Sequence, residues 1–318
     1  MPVCPKCGNK SHQIGVLCEC TSAYVIHDGQ PDDPLKLLGK QIANKLVPVG
    51  IYAIGKVIVS YEAWQSAVER MVTLLVMRPE YCQNERMRYR FMTAVNTFSL
   101  VHQQNLPMLF EELELEDGML ALLCDVRRGE ALTEFLSQSQ PDDVLVVHII
   151  HQILQGLAAY HRYNMCVPNL CYDHIHIIQS GGDAAFVKFC GVLEALLSTP
   201  EDDISTADDV WCVGQLALSL LTGQPIPITK VELSEDRSYL MSIVQLFMHA
   251  TAPVEERYSN ADELLIEFET ILDVRQPTAA NSVSKSVSSE EPRVPRQKKN
   301  LVEFKQIIWM HSPPKLGD

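Results

Sequence analysis

The hydrophobic period of this chain changes halfway along it, and that change limits the folds open to it. In the first half apolar residues alternate, as in Lys56-Val-Ile-Val-Ser-Tyr61 and Met71-Val-Thr-Leu-Leu75-Val-Met77, the two-residue repeat of strands with one face on a core. In the second half they recur every three or four residues over Val144 to Tyr160, Val210 to Leu221 and Leu240 to Ala250, which is the repeat of helices. A block of strands followed by a block of helices predicts an α+β fold. At 318 residues the chain has room for a large core and one small appended module.

That module is predicted at the start. Cys4-Pro-Lys-Cys7-Gly8 is followed by Cys18-Glu-Cys20, with ten residues between Cys7 and Cys18. Soft thiolates at this spacing suit tetrahedral zinc, and Gly8 permits the tight turn that aims backbone amides at the sulfurs. The pattern resembles a zinc ribbon, with C-x-C where C-x-x-C is commoner, so His12 and His27 stand as alternative ligands. A segment this short buries too little surface to fold alone, and the metal would supply on the order of 10 kcal/mol. Four thiolates leave no open coordination position, so the zinc is expected to be structural. Residues 1–34 are assigned to this module, with Pro- and Asp-rich linker sequence around Gln30 to Leu38.

Six further cysteines are scattered, and the chain opens Met-Pro-Val-Cys-Pro-Lys-Cys with no secretory signal, so a reducing cytoplasm is expected. The apolar run Leu46 to Tyr61 is interrupted by Pro48, Gly50, Gly55 and Lys56 and is too short to span a bilayer. The formal charge is 26 − 40 = −14. From Gln276 onward seven basic and four acidic residues give +3, leaving −17 for the body. So acidic a body disfavours nucleic acid as a partner. Residues 276–318 form a third segment: Pro277 to Lys299 is rich in Ser, Pro and charge and reads as a linker. It ends in the apolar stretch Leu301 to Trp309, which docks either on its own domain or on a protein partner of unknown identity.

Between these segments, residues 35–275 carry several short motifs in a telling order. Gly156-Leu-Ala-Ala-Tyr-His161-Arg leads into Val167-Pro168-Asn169-Leu170-Cys171-Tyr-Asp173-His174. Further on come Thr199-Pro200-Glu201, then Asp208-Asp209-Val210-Trp211 with Gly214 and Leu220-Leu-Thr-Gly223, and finally Glu255-Glu-Arg257-Tyr-Ser-Asn-Ala261-Asp-Glu-Leu264. In this order they resemble the C-lobe of the protein kinase family, of the bacterial Ser/Thr kinase type. The resemblance implies a two-lobed protein kinase-like fold. It also implies that Asp209 holds the backbone of the former catalytic loop and that Arg257 pairs with Glu201.

The same resemblance implies that the chemical groups have been replaced. Gly50-Ile-Tyr52-Ala-Ile-Gly55 resembles the glycine-rich loop with Tyr52 in the place of its middle glycine, and Leu75 falls where the phosphate-gripping lysine would stand. Ala94 takes the place of that lysine's glutamate, Asn169 of the catalytic base, His174 of the metal-binding asparagine and Phe189 of the metal-binding aspartate. An amide has no proton affinity near neutral pH and cannot serve as a general base. The expectation is a pseudokinase, not an enzyme, with ATP and Mg²⁺ unlikely as ligands, acting as a scaffold or regulatory binding module. The rival is an atypical Ser/Thr kinase or nucleotide-binding protein, for which Asp173 is the nearby carboxylate. Cys171 with His174 three residues on is either a thiolate–imidazole pair or a small core thiol beside a polar neighbour.

Overall fold

The alternating first half folds as an antiparallel sheet of five strands: β1 (Leu46–Ile54), β2 (Ile58–Gln65), β3 (Arg70–Met77), β4 (Leu109–Glu114) and β5 (Leu120–Cys124), in the order β1-β2-β3-β5-β4. The computed structural model describes residues 1–274 apart from 44, 116–117, 126–128, 180–184, 202–203, 232 and 234. The tail expected from residue 276, with its apolar stretch 301–309, lies outside the described residues. Pairing of β2 with β3 is unbroken from Ile58↔Met77 to Gln65↔Arg70. β1 shifts register at Pro48/Gly50 and Ile51/Ala53, where a residue without an N–H and one without a side chain interrupt the ladder. A four-residue turn of helix, α1 (Pro79–Cys82), precedes α2 (Glu85–Leu100). Asn84 starts α2 by accepting the Met87 N–H at 3.2 Å.

The helical half follows. α3 (Leu132–Gln138) leads to α4 (Asp143–His161), a 19-residue helix opened by Asp142, whose carboxylate accepts the Leu145 N–H at 2.8 Å. α4 is apolar and long enough to cross a membrane by length and composition, yet 78% of that stretch is buried inside the protein. It is the central helix of the core. A small sheet of β6 (Glu130–Ala131), β7 (Ile175–Gln179) and β8 (Ala185–Phe189) packs beside it. Then come α5 (Val192–Ser198), α6 (Thr206–Thr222), α7 (Met241–Ala250) and α8 (Ala261–Val274). α6 is capped by Ser205 at its start and closed by Gly223 at φ +72°, a left-handed position that favours glycine.

Residues 1–43 belong to the same compact unit as the sheet and helices, Met1–Phe268. They run along the outer edge of β1. His27 N–H donates to the Val49 carbonyl at 2.8 Å and Gly39 N–H to the Pro48 carbonyl at 2.9 Å. Gln30 accepts the Ile51 N–H at 2.6 Å. Gly15 lies so close to Trp64 that an added Cβ would sit 2.6 Å from the indole. Asp33 fastens the linker by accepting from the Leu35, Leu37 and Leu38 amides and from the buried Tyr61 hydroxyl. The open edge of a sheet is thereby covered.

Candidate functional site

Three threads of α4, α6 and α8 meet at one buried carboxylate. Asp209, 1% exposed, accepts Nε2–H of His161 at 3.0 Å and the Val167 N–H at 2.6 Å, both on the same oxygen. His161 Nδ1 in turn accepts the Ala261 N–H at 2.9 Å, so the ring is the neutral tautomer with its proton on Nε2. Burial pushes the Asp209 carboxyl above its ordinary range, and the two hydrogen bonds pull against that shift. The loop that starts at Val167 is thus tied to α6, as the sequence implied.

Of the positions expected to have lost their chemistry, Leu75 lies at the space between sheet and helices. Leu75 lines a cavity of about 50 Å³ together with Ile58, Ser60, Leu122, Cys124 and Val192. Ala94 is buried in α2. Phe189 does not reach the cleft. Its ring is buried against the α4 backbone, where a Cβ on Gly156 would sit 2.5 Å from it, and stands edge-on to Tyr160 at 6.2 Å. Asn169 is exposed with φ +57°, its amide 3.4 Å from the Thr199 hydroxyl. Gly50 and Tyr52 lie inside β1, and the turn between β1 and β2 falls at Gly55 to Val57.

The cleft is narrow because α5 lies in it, with Val192 and Leu193 buried. Ligand pockets for drug-sized molecules usually measure roughly 300–1,000 Å³, so this arrangement is a closed one. A network that the sequence did not disclose stiffens the floor beneath it. Asn105, fully buried, donates to Gln152 at 3.0 Å and to the Val187 carbonyl at 2.8 Å. Gln152 donates to the Ala185 carbonyl and accepts the Val187 N–H. Both side chains are amides with no spacing to mark them, Gln152 standing in an apolar helix.

The expected Arg257–Glu201 pair is corrected by the structure. Arg257 donates to the Ala252 and Ala207 carbonyls and lies 3.6 Å from Asp208. Glu201 instead pairs with Arg86 and, at 3.3 Å, with Arg90 of α2. The short run from Gly191 to Thr199 folds as α5 against α2, and that delivers Glu201 to the arginines of α2.

Cys171 and His174 do come together. The Cys171 thiol is exposed, its sulfur 3.6 Å from His174 Nδ1, and its own N–H donates to that nitrogen at 3.3 Å. The bond to His174 lowers the thiol below its usual range, against the effect of partial burial. Cys171 is therefore expected to react with iodoacetamide about tenfold or more faster than buried Cys124 and Cys166, whose thiols burial pushes up. Peptide mapping after brief alkylation checks this, and equal labelling would refute it. Asp173 accepts the Thr133 hydroxyl at 2.5 Å and faces solvent.

The four N-terminal thiols form the second site. Sγ atoms of Cys4, Cys7, Cys18 and Cys20 all lie within 4.8 Å of one another, with Cys4 and Cys20 3.7 Å apart and Cys7 and Cys18 3.6 Å apart. Sulfurs about 2.3 Å from a tetrahedral zinc lie about 3.8 Å from each other, so the cluster fits such an ion. Burial alone would raise the Cys4 thiol, but N–H groups of Cys7 and Lys6 aimed at the sulfur draw it down to about 6, while the neighbouring Cys7 and Cys18 thiols are raised beside it. Gly8 has φ +72° and its N–H donates to the Cys4 carbonyl, the tight turn expected there. His27 is not in the cluster: its ring bonds Glu62 at 2.7 Å.

Comparisons with known proteins agree with this architecture. No protein-family model matches the chain. Over 175 residues it is 26% identical to the serine/threonine-protein kinase pkn3 of Myxococcus xanthus, a match covering 54% of this chain and 31% of that protein's length. Its fold is similar to crystal structures of the Mycobacterium tuberculosis PknI kinase domain. One has a TM-score of 0.57 at 14% identity, covering 74% of this chain and 98% of that one. Another has a TM-score of 0.55 at 15% identity, covering 73% and 98%. These names correct the expectation that the chain is not an enzyme, and with it the expectation that ATP and Mg²⁺ are unlikely ligands. Replaced residues speak against one arrangement of groups, whereas the similar proteins are named as kinases. The chain has a two-lobed, protein kinase-like α+β fold, with four clustered cysteines near its N-terminus.

Proposed function

We propose that this chain is an atypical serine/threonine kinase-like protein whose interlobe cleft takes a nucleotide through residues outside the usual set. The observation that carries this reading is a sequence relative named as a serine/threonine kinase joined to a kinase-like fold whose loop from Val167 is still locked by Asp209. Leu75, Ala94, Asn169, His174 and Phe189 are not the lysine, carboxylates and asparagine that hold phosphate and magnesium in the usual arrangement, so Asp173 is the carboxylate by the loop left to serve. In this reading Cys4, Cys7, Cys18 and Cys20 hold a structural zinc, in a reducing cytoplasm. A thermal-shift titration with ATP, with and without Mg²⁺, tests the cleft. A ligand selective for the folded state should add about 2.7 kcal/mol at about 100 times its Kd. Labelled γ-phosphate transferred by the wild type and not by Asp173→Ala would support transfer chemistry.

The closed cleft of about 50 Å³ favours a second reading, a scaffold or regulatory binding module for a protein partner. Lack of any ATP-dependent shift, together with a protein that stays bound through purification, would decide for it.

A further inference from the structure

The turn joining β1 to β2 points three consecutive N–H groups at one side chain from far along the chain. Lys56 N–H donates to Glu194 Oε1 at 2.8 Å, Val57 N–H to Oε2 at 3.1 Å, and Ile58 N–H to Oε2 at 2.6 Å. Successive backbone amides on one carboxylate make a strong charge-assisted anion cradle. The cradle is braced from behind by Arg78, whose guanidinium donates to the Gly55 carbonyl at 2.8 and 3.0 Å. Gly55 is required at close quarters: a Cβ there would sit 2.4 Å from the Glu194 carboxyl carbon. Ser198, one turn on in α5, donates its hydroxyl to Glu194 Oε1 at 2.5 Å.

The other end of α5 is held separately. Arg90 of α2 donates to the Leu196, Leu197 and Thr199 carbonyls, groups that the end of a helix leaves without partners. Seven residues are too few to stay helical unaided, so α5 keeps its place through these two anchors and the burial of Val192 and Leu193. One anchor is on the sheet, the other on α2, and the helix between them fills the cleft.

We propose that α5 is a latch that shuts the interlobe cleft, with the Glu194 carboxylate seated on the amides of residues 56–58 as its catch. The cleft opens when Glu194 leaves the cradle and α5 swings from between the lobes. What then enters rests on the nucleotide reading above; the latch itself does not.

Hydrogen exchange on the full chain tests it, comparing wild type with Glu194→Ala, Glu194→Gln and Arg90→Ala. Arg90 touches none of the three amides, so it reports whether the latch moves as one piece. The Lys56, Val57 and Ile58 amides are expected to exchange about tenfold faster in Glu194→Ala and Arg90→Ala alike. Glu194→Gln, which keeps the shape and removes the charge, should give a smaller rise and serves if the alanine variant does not fold. Exchange at 56–58 that stays at the wild-type rate in Arg90→Ala would overturn the latch. ATP with Mg²⁺, added to the same variants, separates the two ideas. Faster exchange without any ATP-dependent shift keeps the latch and removes the nucleotide reading. An ATP shift in the wild type with unmoved exchange does the reverse.

Discussion

Cys4→Ala is expected to unfold residues 1–34 and to cost the protein more than any other single change. The core cluster of that segment is Cys4, Cys18, Ala23 and Val25 with Cys20 packed on them, so three of its five members are thiols proposed to hold the zinc. Binding of a structural zinc supplies on the order of 10 kcal/mol in modules of this size, and the segment's remaining ties include its hydrogen bonds to β1 and β2. The loss should spread. The Val49 carbonyl, the Ile51 amide and the Tyr61 hydroxyl would each lose a partner that residues 27–33 now supply. Zinc content near one ion per chain in the wild type, with a lowered Tm and new protease cuts before residue 40 in the variant, is the expected result. Purified protein that contains no zinc, yet melts at the same temperature with and without a chelator, would remove the metal claim.

Asp209→Ala is the second large effect. It would leave the Val167 N–H and the His161 Nε2–H buried without an acceptor. Removing one member of a buried, charged hydrogen-bonded set costs about 3–5 kcal/mol, which for a domain of this size lowers Tm on the order of 10 °C. Asp209→Asn should cost much less, about 1–2 kcal/mol, since an amide oxygen in the same place still accepts both N–H groups. Equal losses for the two variants, read by thermal melts and by the solvent exchange of the Val167 amide, would show that charge and not acceptor geometry holds the loop.

The contrast between these two sites explains what the amino-acid order disclosed and what it hid. Cys4, Cys7, Cys18 and Cys20 announce themselves because their chemistry needs short spacings that chance rarely gives. β2, β3, α4, α6 and α7 were legible through repeats of two or of three to four residues, which follow directly from strand and helix geometry. Asp209 was legible through the motif around it. Glu194 was not: it reaches backbone amides 136–138 residues away, and a backbone N–H leaves no mark in a sequence. The Asn105–Gln152 pair was hidden for the same reason, since it is anchored on main-chain atoms of β8, with Gln103 donating to Asn105 Oδ1 from two residues away. Arg257 was assigned to Glu201 by analogy alone. The short helix α5 changes which helix Glu201 meets, and its arginine partners on α2 could not be read without it.

The covering of β1 by the cysteine-bearing segment also bears on how this protein fares in the cell. If residues 1–34 depend on the proposed zinc and it runs short, a bare strand with unpaired backbone groups is left at the rim, ready to recruit a like strand from another copy. Scarcity of a trace element would then be felt as clumping of an otherwise well-folded protein, and concentration as much as sequence would decide how much of it stays in solution.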